Sequence, residues 1–404
     1  MFKSLSLKVI IFGFIFTFFS SFGQSFFLGL FNSSIREELS ITHGQFGSIY
    51  ASATLLSSFI LIWVGKKIDD INISRFALFV ILLLSFSSFL FSKISSVFFL
   101  FIAIFLMRFS GQGMMSHTAT TTISRYFTKS RGKALSAGWF GLSSAEFILP
   151  VLIVYLLTIY QWQSIWISIS IIVIIFLPIA SFFLVREINF ESRETKEDEN
   201  SFSIKIKDWK RTEVIKDYRF YIICANMLAM PWIATGTFVY QSFILESKNW
   251  GPFILAQSFM VYSIMTVATL FVAGFLIDKF TSRKLLIFIN KPLLFSVFVI
   301  IFFDNPISAF FFLGLIGITN GFANVLGSST WAEIYGVKFI GAIKALTTAF
   351  MVFSTAFGTA VFGLMIDNGF SIENIAFVSG IYIVISLFLL ILIRNKLEPI
   401  KLRK

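Results

Sequence analysis

The amino-acid sequence predicts an all-α integral membrane protein, with twelve transmembrane helices in two six-helix bundles related by a pseudo-two-fold axis. Three observations predict this fold: the apolar composition, twelve apolar segments of spanning length, and a repeat that relates the two halves. Of 404 residues, 57% are hydrophobic and 13% are charged, whereas about 25% of the residues of a soluble domain are charged. The mean hydropathy of +0.86 agrees. A chain of soluble domains is therefore excluded.

Twelve apolar segments are long enough to cross a bilayer, since about 20 residues of helix span about 30 Å of hydrocarbon. Read between charged or turn-rich breaks, they are Leu7–Asn32, Gln45–Val64, Phe76–Ser92, Val97–Thr122, Ala134–Ile159, Ser164–Val185, Phe220–Leu245, Pro252–Gly274, Leu285–Phe303, Ile307–Ala332, Ala345–Ile366 and Ile375–Ile393. A polar stretch divides them into two sets of six. We therefore predict an N-terminal bundle at residues 1–186, a cytoplasmic linker at 187–218 and a C-terminal bundle at 219–404.

The linker itself has two parts. Glu194–Glu199 is rich in charge, which predicts disorder. Ile204–Tyr218 alternates apolar and basic residues, which favours an interfacial helix. We interpret the whole linker as a tether between the bundles.

The distribution of basic residues predicts the orientation in the membrane. With the N-terminus inside, 28 of the 33 Lys and Arg residues lie in the even-numbered loops or at the chain ends. The opposite loops contain Arg36, Lys93 and Lys248. Because loops rich in Lys and Arg stay in the cytoplasm, we predict a multi-pass protein of the bacterial plasma (inner) membrane with both termini cytoplasmic. These anchors account for the net charge of +12, so the bilayer rather than a nucleic acid is the expected partner.

Catalytic and metal-binding functions find little support in the residues present. One cysteine, Cys224, excludes a disulfide framework and a multi-thiolate metal site. Two histidines, His43 and His117, leave little for a histidine-based metal centre. The sequence has no Walker motif and no cluster of nucleophile and base at membrane depth. We expect no enzyme activity, no cofactor and no metal.

The two halves repeat each other. The matched pairs, each separated by 209 positions, are Gly65 and Gly274, Asp69 and Asp278, Tyr126 and Tyr335, Lys129 and Lys338, and Gly132 and Gly341. They fall in equivalent loops, after the second and eighth and after the fourth and tenth spans, which indicates a duplicated bundle. Such a repeat suits alternating access, in which two bundles rock around a site at their shared midplane.

Each copy of the first loop contains a glycine followed four residues later by an aspartate. Gly65 and Gly274 would let the backbone of a neighbouring helix approach closely. Asp69 and Asp278 would accept hydrogen bonds from a helix N-terminus or pair with a basic side chain. Matched positions in the two halves favour such a role over simple solvation of a loop.

These motifs resemble those of the major facilitator superfamily. The residues that carry the resemblance are Gly65, Asp69 and Arg75 in the first loop, Gly274, Asp278, Lys279, Arg283 and Lys284 in the second, and Arg108-Phe109-Ser110-Gly111-Gln112-Gly113 in the fourth span. The loops depart from the family pattern at Asp70, Asn72 and Thr281. The resemblance implies a transporter in which Asp69, and less strongly Asp278, docks on a neighbouring helix terminus and stabilises an outward-facing state. It also implies a role in conformational gating for the loop residues as a set, which are Gly65, Asp69, Arg75, Gly274, Asp278, Lys279 and Arg283.

Two ionisable residues lie deep in the predicted spans. Arg108 is about 16 Å along the fourth helix and Glu146 about 18 Å along the fifth, counted from opposite faces at 1.5 Å per residue. Both therefore lie near mid-depth, where a charge is costly and marks a functional candidate. Gln112 shares the face of Arg108. We favour a substrate or coupling role for Arg108 and Glu146, the alternative being an ion pair that only orients two helices.

Other polar residues are weaker candidates. Gln24, Tyr240, Gln241, Asn320 and Asn324 interrupt the first, seventh and tenth spans. The family resemblance implies that these spans line the transport cavity, although each side chain alone would equally serve an interhelical hydrogen bond. His117, near the cytoplasmic end of the fourth span, is a further candidate for proton coupling.

The resulting hypothesis is a monomeric secondary active transporter of a small organic solute. Arg108 favours an anion such as a monocarboxylate, moved by proton symport, and the spacing Arg-x-x-Gly-Gln-Gly is similar to that of bacterial monocarboxylate and oxalate/formate porters. One alternative is a proton-coupled drug or metabolite exporter, although the fifth span lacks the Gly-Pro dipeptide usual there. The other is a solute sensor without transport activity.

Overall fold

The computed structural model describes residues 4–127, 131–186 and 207–400. Within these ranges the chain is helical and contains no β-strand. Twelve of its helices are long and apolar enough to cross a membrane. The predicted fold class and number of spans are therefore confirmed.

The twelve spanning helices follow one another along the chain, and further short helices lie between the first and second and between the seventh and eighth. Numbered in chain order, they are α1 (Ser4–Ser20), α2 (His43–Val64), α3 (Ile73–Phe91), α4 (Val97–Tyr126), α5 (Arg131–Leu157), α6 (Trp162–Val185), α7 (Tyr218–Val239), α8 (Pro252–Phe280), α9 (Ser282–Phe302), α10 (Ile307–Tyr335), α11 (Ile340–Asp367) and α12 (Ile372–Ile393).

Side chains that cap the free backbone N–H groups explain where several helices begin. Thr42 and Gln45 form a reciprocal capping box at α2, in which Thr42 Oγ1 accepts from the backbone N–H of Gln45 at 3.2 Å. Asn72 Oδ1 accepts from Ser74 N at 2.9 Å at the start of α3. Ser96 caps α4 in the same way. Each cap satisfies a donor that the helix cannot satisfy itself.

The prediction of a continuous first span from Leu7 to Asn32 is wrong, because α1 ends at Ser20. The chain then passes through a tight turn to Gln24, whose backbone is extended (φ −83°, ψ 154°), before helical structure resumes at Ser25. The Ser20 hydroxyl donates to the Thr17 carbonyl oxygen at 2.7 Å. Such a local bond competes with the helical ladder, so small polar residues end the helix here.

Two further helices are irregular. Residues Arg108–Met115 of α4 are π-helical, a conformation found frequently at functional sites. In α9 the helix is interrupted at Asn290, two residues before Pro292, whose ring nitrogen has no hydrogen to donate to the preceding turn.

The helices form two compact units. Unit 1 takes in the described residues of Met1–Ser192 together with Thr235–Met260 and Thr359–Gly369. It therefore contains α1 to α6 and one end each of α7, α8 and α11. Unit 2 takes in the remaining described residues. We call the end of unit 1 that carries the α1–α2 connection the distal end, and the end that carries the α2–α3 connection the proximal end.

Small residues let α1 and α5 pack closely within unit 1. Thr17 Oγ1 donates to the Gly138 carbonyl oxygen at 2.6 Å, and a Cβ atom at Gly141 would overlap the Phe14 carbonyl oxygen. Close packing of backbones and interhelical hydrogen bonds hold helices together in lipid, where hydrophobic burial contributes little.

Within unit 2, the segment before α7 packs on the end of α10 and on the tail after α12. Lys207 N donates to the Ile400 carbonyl oxygen at 2.8 Å, and Trp209 N donates to the Tyr335 carbonyl oxygen at 2.9 Å. Asp208 Oδ1 accepts from Lys338 N at 3.1 Å. These bonds link the linker to the end of α10 and to the tail after α12.

The predicted interfacial helix at Ile204–Tyr218 is wrong for the part that the structure describes. Between Lys207 and Asp217 only Arg211–Val214 is helical, because the preceding backbone N–H groups bond to the tail after α12 and to the end of α10 instead of to one another. The predicted disorder of Glu194–Glu199 concerns residues outside the described ranges.

The two tyrosines of the repeat occupy equivalent positions. Tyr126, at the end of α4, lies within hydrogen-bond distance (3.4 Å) of the Ser6 hydroxyl near the start of α1. Tyr335, at the end of α10, donates to Asp217 Oδ2 at 3.1 Å, just before α7 begins. In each half, therefore, a tyrosine ties the fourth helix to the start of the first.

We predict that Trp209→Ala lowers the thermal unfolding temperature of the purified protein by about 4 °C. The Trp209 ring contacts Tyr335 at a centroid distance of 5.4 Å and lies beneath the cations of Lys207 and Arg219. Loss of two cation–π contacts and of the packed ring face removes about 2 kcal/mol. Trp139→Ala is the matched control, because Trp139 is exposed and has no cation–π contact with a described residue. Equal shifts in the two variants would contradict a stabilising role of this segment.

Candidate functional site

Arg108 is a buried cation whose described partners are neutral. Its side chain is 2% exposed. Nη1 donates to the Gly23 carbonyl oxygen at 3.0 Å and to Ser25 Oγ at 3.3 Å, and Nε donates to Thr54 Oγ1 at 3.2 Å. The guanidinium also lies over the Tyr50 ring at 5.3 Å. We call these five residues the Arg108 cluster.

The break in α1 makes this arrangement possible. Where the helix stops, the Gly23 carbonyl oxygen is available as an acceptor for a side chain of α4. Gly23 and Gly111 meet backbone to backbone, since a Cβ atom at Gly111 would approach Gly23 N to 2.7 Å. The contact between an interrupted α1 and the π-helical part of α4 therefore holds the guanidinium in place.

The alternative considered for Arg108 and Glu146, an ion pair that only orients two helices, is not formed in the structure. Glu146 is 7% exposed, but no ion pair or hydrogen bond connects it to Arg108 or to another residue of the described ranges. The sequence predicts a similar depth for both residues, yet depth alone does not determine the direction in which a side chain points. The backbone carbonyl of Gly23 takes the place that the hypothesis gave to the carboxylate.

Gln24 and Gln112 lie next to the cluster along the chain. Gln24 follows Gly23 in the extended break, and a Cβ atom at Gly23 would approach Gln112 N to 2.5 Å. Both side chains are half-buried. The structure therefore brings these two candidates together with Arg108.

Sequence reasoning missed Tyr50, Thr54 and Ser25. The Tyr50 hydroxyl donates to Ser25 Oγ at 3.0 Å, so the three form one polar network with Arg108. Tyr50 and Thr54 are four residues apart and share a face of α2, a signal that the sequence contained. Ser25 gave no such signal, because its position depends on the break in α1.

Tyr240 and Gln241 lie at the distal end of unit 1. The Tyr240 hydroxyl lies 2.9 Å from the carbonyl oxygens of both His43 and Thr359. Burial raises the pKa of Tyr240, so the hydroxyl keeps its proton for donation. Gln241 Nε2 donates to the Phe26 and Phe238 carbonyl oxygens, each at 3.0 Å. The side chains of Tyr240 and Gln241 thus donate their hydrogen bonds to backbone carbonyl oxygens.

The side-chain amide of Asn32 adds a further hydrogen bond at the distal end of unit 1. We call this bond and those of Tyr240 and Gln241 the distal contact. Asn32 Nδ2 donates to the Val239 carbonyl oxygen at 2.6 Å. Asn32 and Gln241 are separated by the same 209 positions as the loop motifs. Gly44 N donates to Asp367 Oδ2 at 2.9 Å. Residues from both sequence halves are therefore joined at this end of unit 1.

The first loop motif is bound within unit 1. Asp69 forms an ion pair with Arg125 at the end of α4, and Arg125 Nη1 donates to the Ile68 carbonyl oxygen at 3.1 Å. His117 Nε2 lies 3.0 Å from the Gly65 carbonyl oxygen. The residue-based expectation of a basic partner for Asp69 agrees with this geometry, while docking of Asp69 on a helix terminus stays a prediction.

The second loop motif is arranged differently. Arg283 Nη2 lies 3.7 Å from Glu398 Oε1, and Lys279 Nζ lies over the Phe280 ring at 5.3 Å. The side chain of Asp278 lies outside the described atoms. The expected close approach of a neighbouring backbone is wrong at Gly65, where a Cβ atom would meet the His117 ring. It is also wrong at Gly274, where no described atom lies within 4 Å of that position.

Asn320 and Asn324 belong to unit 2. Asn320 Nδ2 donates to the Tyr262 hydroxyl at 2.8 Å, and Asn324 Nδ2 donates to Asn320 Oδ1 at 3.5 Å. An interhelical hydrogen bond, the alternative considered for each polar residue, is therefore formed by Asn320.

Comparison with known proteins identifies the family. A family model described as Major Facilitator Superfamily matches residues 13–290. The chain belongs to this superfamily. No group of three or more His, Cys, Asp or Glu side chains able to hold a metal occurs in the part of the chain that the structure describes. Membership of this family shows a membrane transporter of a small solute rather than an enzyme.

Solved structures of transporters share this superfamily fold. A bacterial homologue of the human lysosomal transporter Spinster, in an inward-facing and occupied conformation, has a TM-score of 0.73 at 13% identity and covers 97% of this chain and 96% of its own. The nucleoside transporter NupG has a TM-score of 0.68 at 15% identity and covers 98% and 99%. A comparison with curated proteins gave no match. At these identities the likeness establishes the fold alone.

We predict that Gly111→Ala destabilises the transporter by about 1–3 kcal/mol, the usual effect of overpacking. The added methyl group would press on the Gly23 backbone, which cannot move without displacing the acceptor of Arg108. Thermal unfolding measures the effect. Gly327→Ala is the matched control, since no described atom lies within 4 Å of that Cβ position. An unchanged unfolding temperature for Gly111→Ala would contradict the close backbone contact.

Proposed function

We propose that the protein is a secondary active transporter that moves a small organic anion, such as a monocarboxylate, together with a proton by alternating access. The observation that carries the proposal is the buried guanidinium of Arg108, whose described partners are all neutral. The proposal places the protein in the bacterial plasma membrane as a monomer with cytoplasmic termini, in agreement with the distribution of basic residues.

The electrostatics of Arg108 support an anionic solute. Three neutral oxygens and one ring accept from or contact the guanidinium, but none of them balances its charge. A buried cation without an anion is unfavourable, so a carboxylate that arrives with the solute stabilises this site. Arginine presents a planar set of donors that fits a carboxylate in a bidentate manner.

Glu146 is the proposed carrier of the coupled proton. It is buried in α5, and no cation of the described residues forms an ion pair with it. An ionised carboxylate without a partner is costly in a membrane interior, so this position suits a group that is protonated while it is buried. Protonation together with anion binding would keep the net charge of the site low.

The distal contact of unit 1 suits a gate. Amide side chains of Asn32 and Gln241 join the sequence halves through reciprocal bonds to backbone carbonyls. Alternating access requires such a contact to break when the site opens toward that side. Neutral hydrogen bonds of this kind contribute about 0.5–1.5 kcal/mol each, which is weak enough for repeated opening.

Two other functions are tested by the same experiments. A proton-coupled drug or metabolite exporter would bind cationic or amphipathic solutes instead of carboxylates. A sensor without transport activity would bind a solute but give neither counterflow nor flux driven by a pH gradient. Thermal-shift screening of small carboxylates, amino acids, sugars and cationic dyes selects the solute for the assays.

We predict that Arg108→Ala reduces uptake of the selected carboxylate by proteoliposomes at least about 30-fold, because an anion then lacks its buried charge partner. Arg108→Lys should rescue only part of this activity, since lysine cannot bind in a bidentate manner. Arg211→Ala, outside the spans and exposed, is the control and should transport normally. Uptake by Arg108→Ala at the wild-type rate would remove Arg108 from the substrate site.

We predict that Glu146→Gln keeps solute counterflow but loses accumulation driven by a pH gradient. The amide has nearly the same shape as a protonated carboxyl group, yet it cannot release a proton. Both assays use the same proteoliposomes, and Glu37→Gln, which is exposed, serves as control. Full accumulation by Glu146→Gln would contradict the coupling role and leave Glu146 a structural residue.

A further inference from the structure

A groove runs between α3 and α6 on the surface of unit 1. Its volume is about 480 Å³. Its walls include Arg75, Leu78, Ile179, Phe182 and Phe183. We call it the α3–α6 groove. It is separate from the Arg108 cluster, whose residues do not line it.

The walls of the groove have the character of a lipid-facing surface. Leu78, Ile179, Phe182 and Phe183 are all exposed, and Phe183 is 62% exposed. They belong to two helices that are long and apolar enough to span a membrane. Exposed apolar side chains at such a position face hydrocarbon rather than water. The groove is therefore accessible from the bilayer and apolar along most of its length.

The proximal end of the groove is cationic. Arg75 lies in the first turn of α3 and is exposed. At the end of α6, the Arg186 guanidinium lies over the Phe182 ring at 5.4 Å. The first turn of a spanning helix lies at the level of the lipid headgroups. Positive charge is thus located where a phosphate group would be, and apolar surface where acyl chains would be.

The neighbouring acidic residues leave Arg75 available. Asp69 pairs with Arg125, and Asp70 lies 3.9 Å from Lys67. No hydrogen bond or ion pair joins Arg75 to any residue in the described ranges. The gating role implied for Arg75 stays a prediction, because the described residues of unit 1 show no partner for it.

We propose that the α3–α6 groove binds one anionic phospholipid, with its phosphate on Arg75 and an acyl chain along Leu78, Ile179 and Phe182. Charge complementarity favours this occupant over a zwitterionic lipid, because basic pockets between spanning helices attract anionic headgroups. The lipid belongs to the leaflet on the side of the α2–α3 connection. Its binding is independent of the solute that the protein transports.

Native mass spectrometry of the full-length protein tests the proposal. The detergent-purified protein is incubated with palmitoyl-oleoyl phosphatidylglycerol or with phosphatidylcholine of the same chains. We expect retention of phosphatidylglycerol to exceed that of phosphatidylcholine about fivefold, the contribution of one basic residue near the membrane surface. Arg75→Ala should abolish this preference and Arg75→Lys should retain it. Arg394→Ala, an exposed arginine at the end of α12, is the matched control and should behave as wild type.

Two further measurements separate the headgroup from the chain. Dihexanoyl phosphatidylglycerol should bind more weakly than the long-chain lipid, since it covers less of the groove. Millimolar inorganic phosphate should not raise the thermal unfolding temperature as phosphatidylglycerol does. Equal retention of the two headgroups by the wild type would overturn the proposal, as would an unchanged preference in Arg75→Ala. Full stabilisation by inorganic phosphate would show an anion site without a lipid and would overturn it too.

Discussion

The bond between the Arg108 guanidinium and the Gly23 carbonyl oxygen is the interaction on which the functional site depends. A spanning helix normally leaves no carbonyl free for a side chain, because its backbone groups bond to one another. The break after Ser20 leaves the Gly23 carbonyl as an acceptor. A cation of α4 occupies that acceptor at 2% exposure. An interruption that would be costly in lipid and a charge that would be costly in lipid thus stabilise each other.

Glycine makes such contacts possible throughout unit 1. Gly23 and Gly111 meet next to Arg108, and at the distal end a Cβ atom on Gly29 would overlap the Phe238 carbonyl oxygen. Without side chains at these positions, backbones approach closely enough for Asn32 and Gln241 to reach carbonyl oxygens of the other half. The same packing principle therefore serves both the buried charge and the distal contact.

The sequence identified several polar residues of the site, but not the partners that they bind in the structure. Arg108 was found because a charge deep in an apolar span is rare and conspicuous. The ion pair considered between Arg108 and Glu146 does not form, because two residues predicted at a similar depth need not face each other. Tyr240 and Gln241 were found as polar interruptions, but their distal location follows from the end of α7 and its contacts with Phe26 and His43. Depth and polarity are local properties, whereas the partner of a side chain is not.

The sequence by itself determined the twelve spans, the repeat of 209 positions and the superfamily, because hydrophobic length and short motifs are written in consecutive residues. Only the tertiary structure decided where α1 breaks, that residues 108–115 are π-helical and that Arg108 bonds to a backbone carbonyl. It also decided that Arg75 borders a groove between α3 and α6. The physical reason is that these features depend on which faces of neighbouring helices meet. The backbone groups that form the contacts are the same in every residue, so the sequence carries no signal for them.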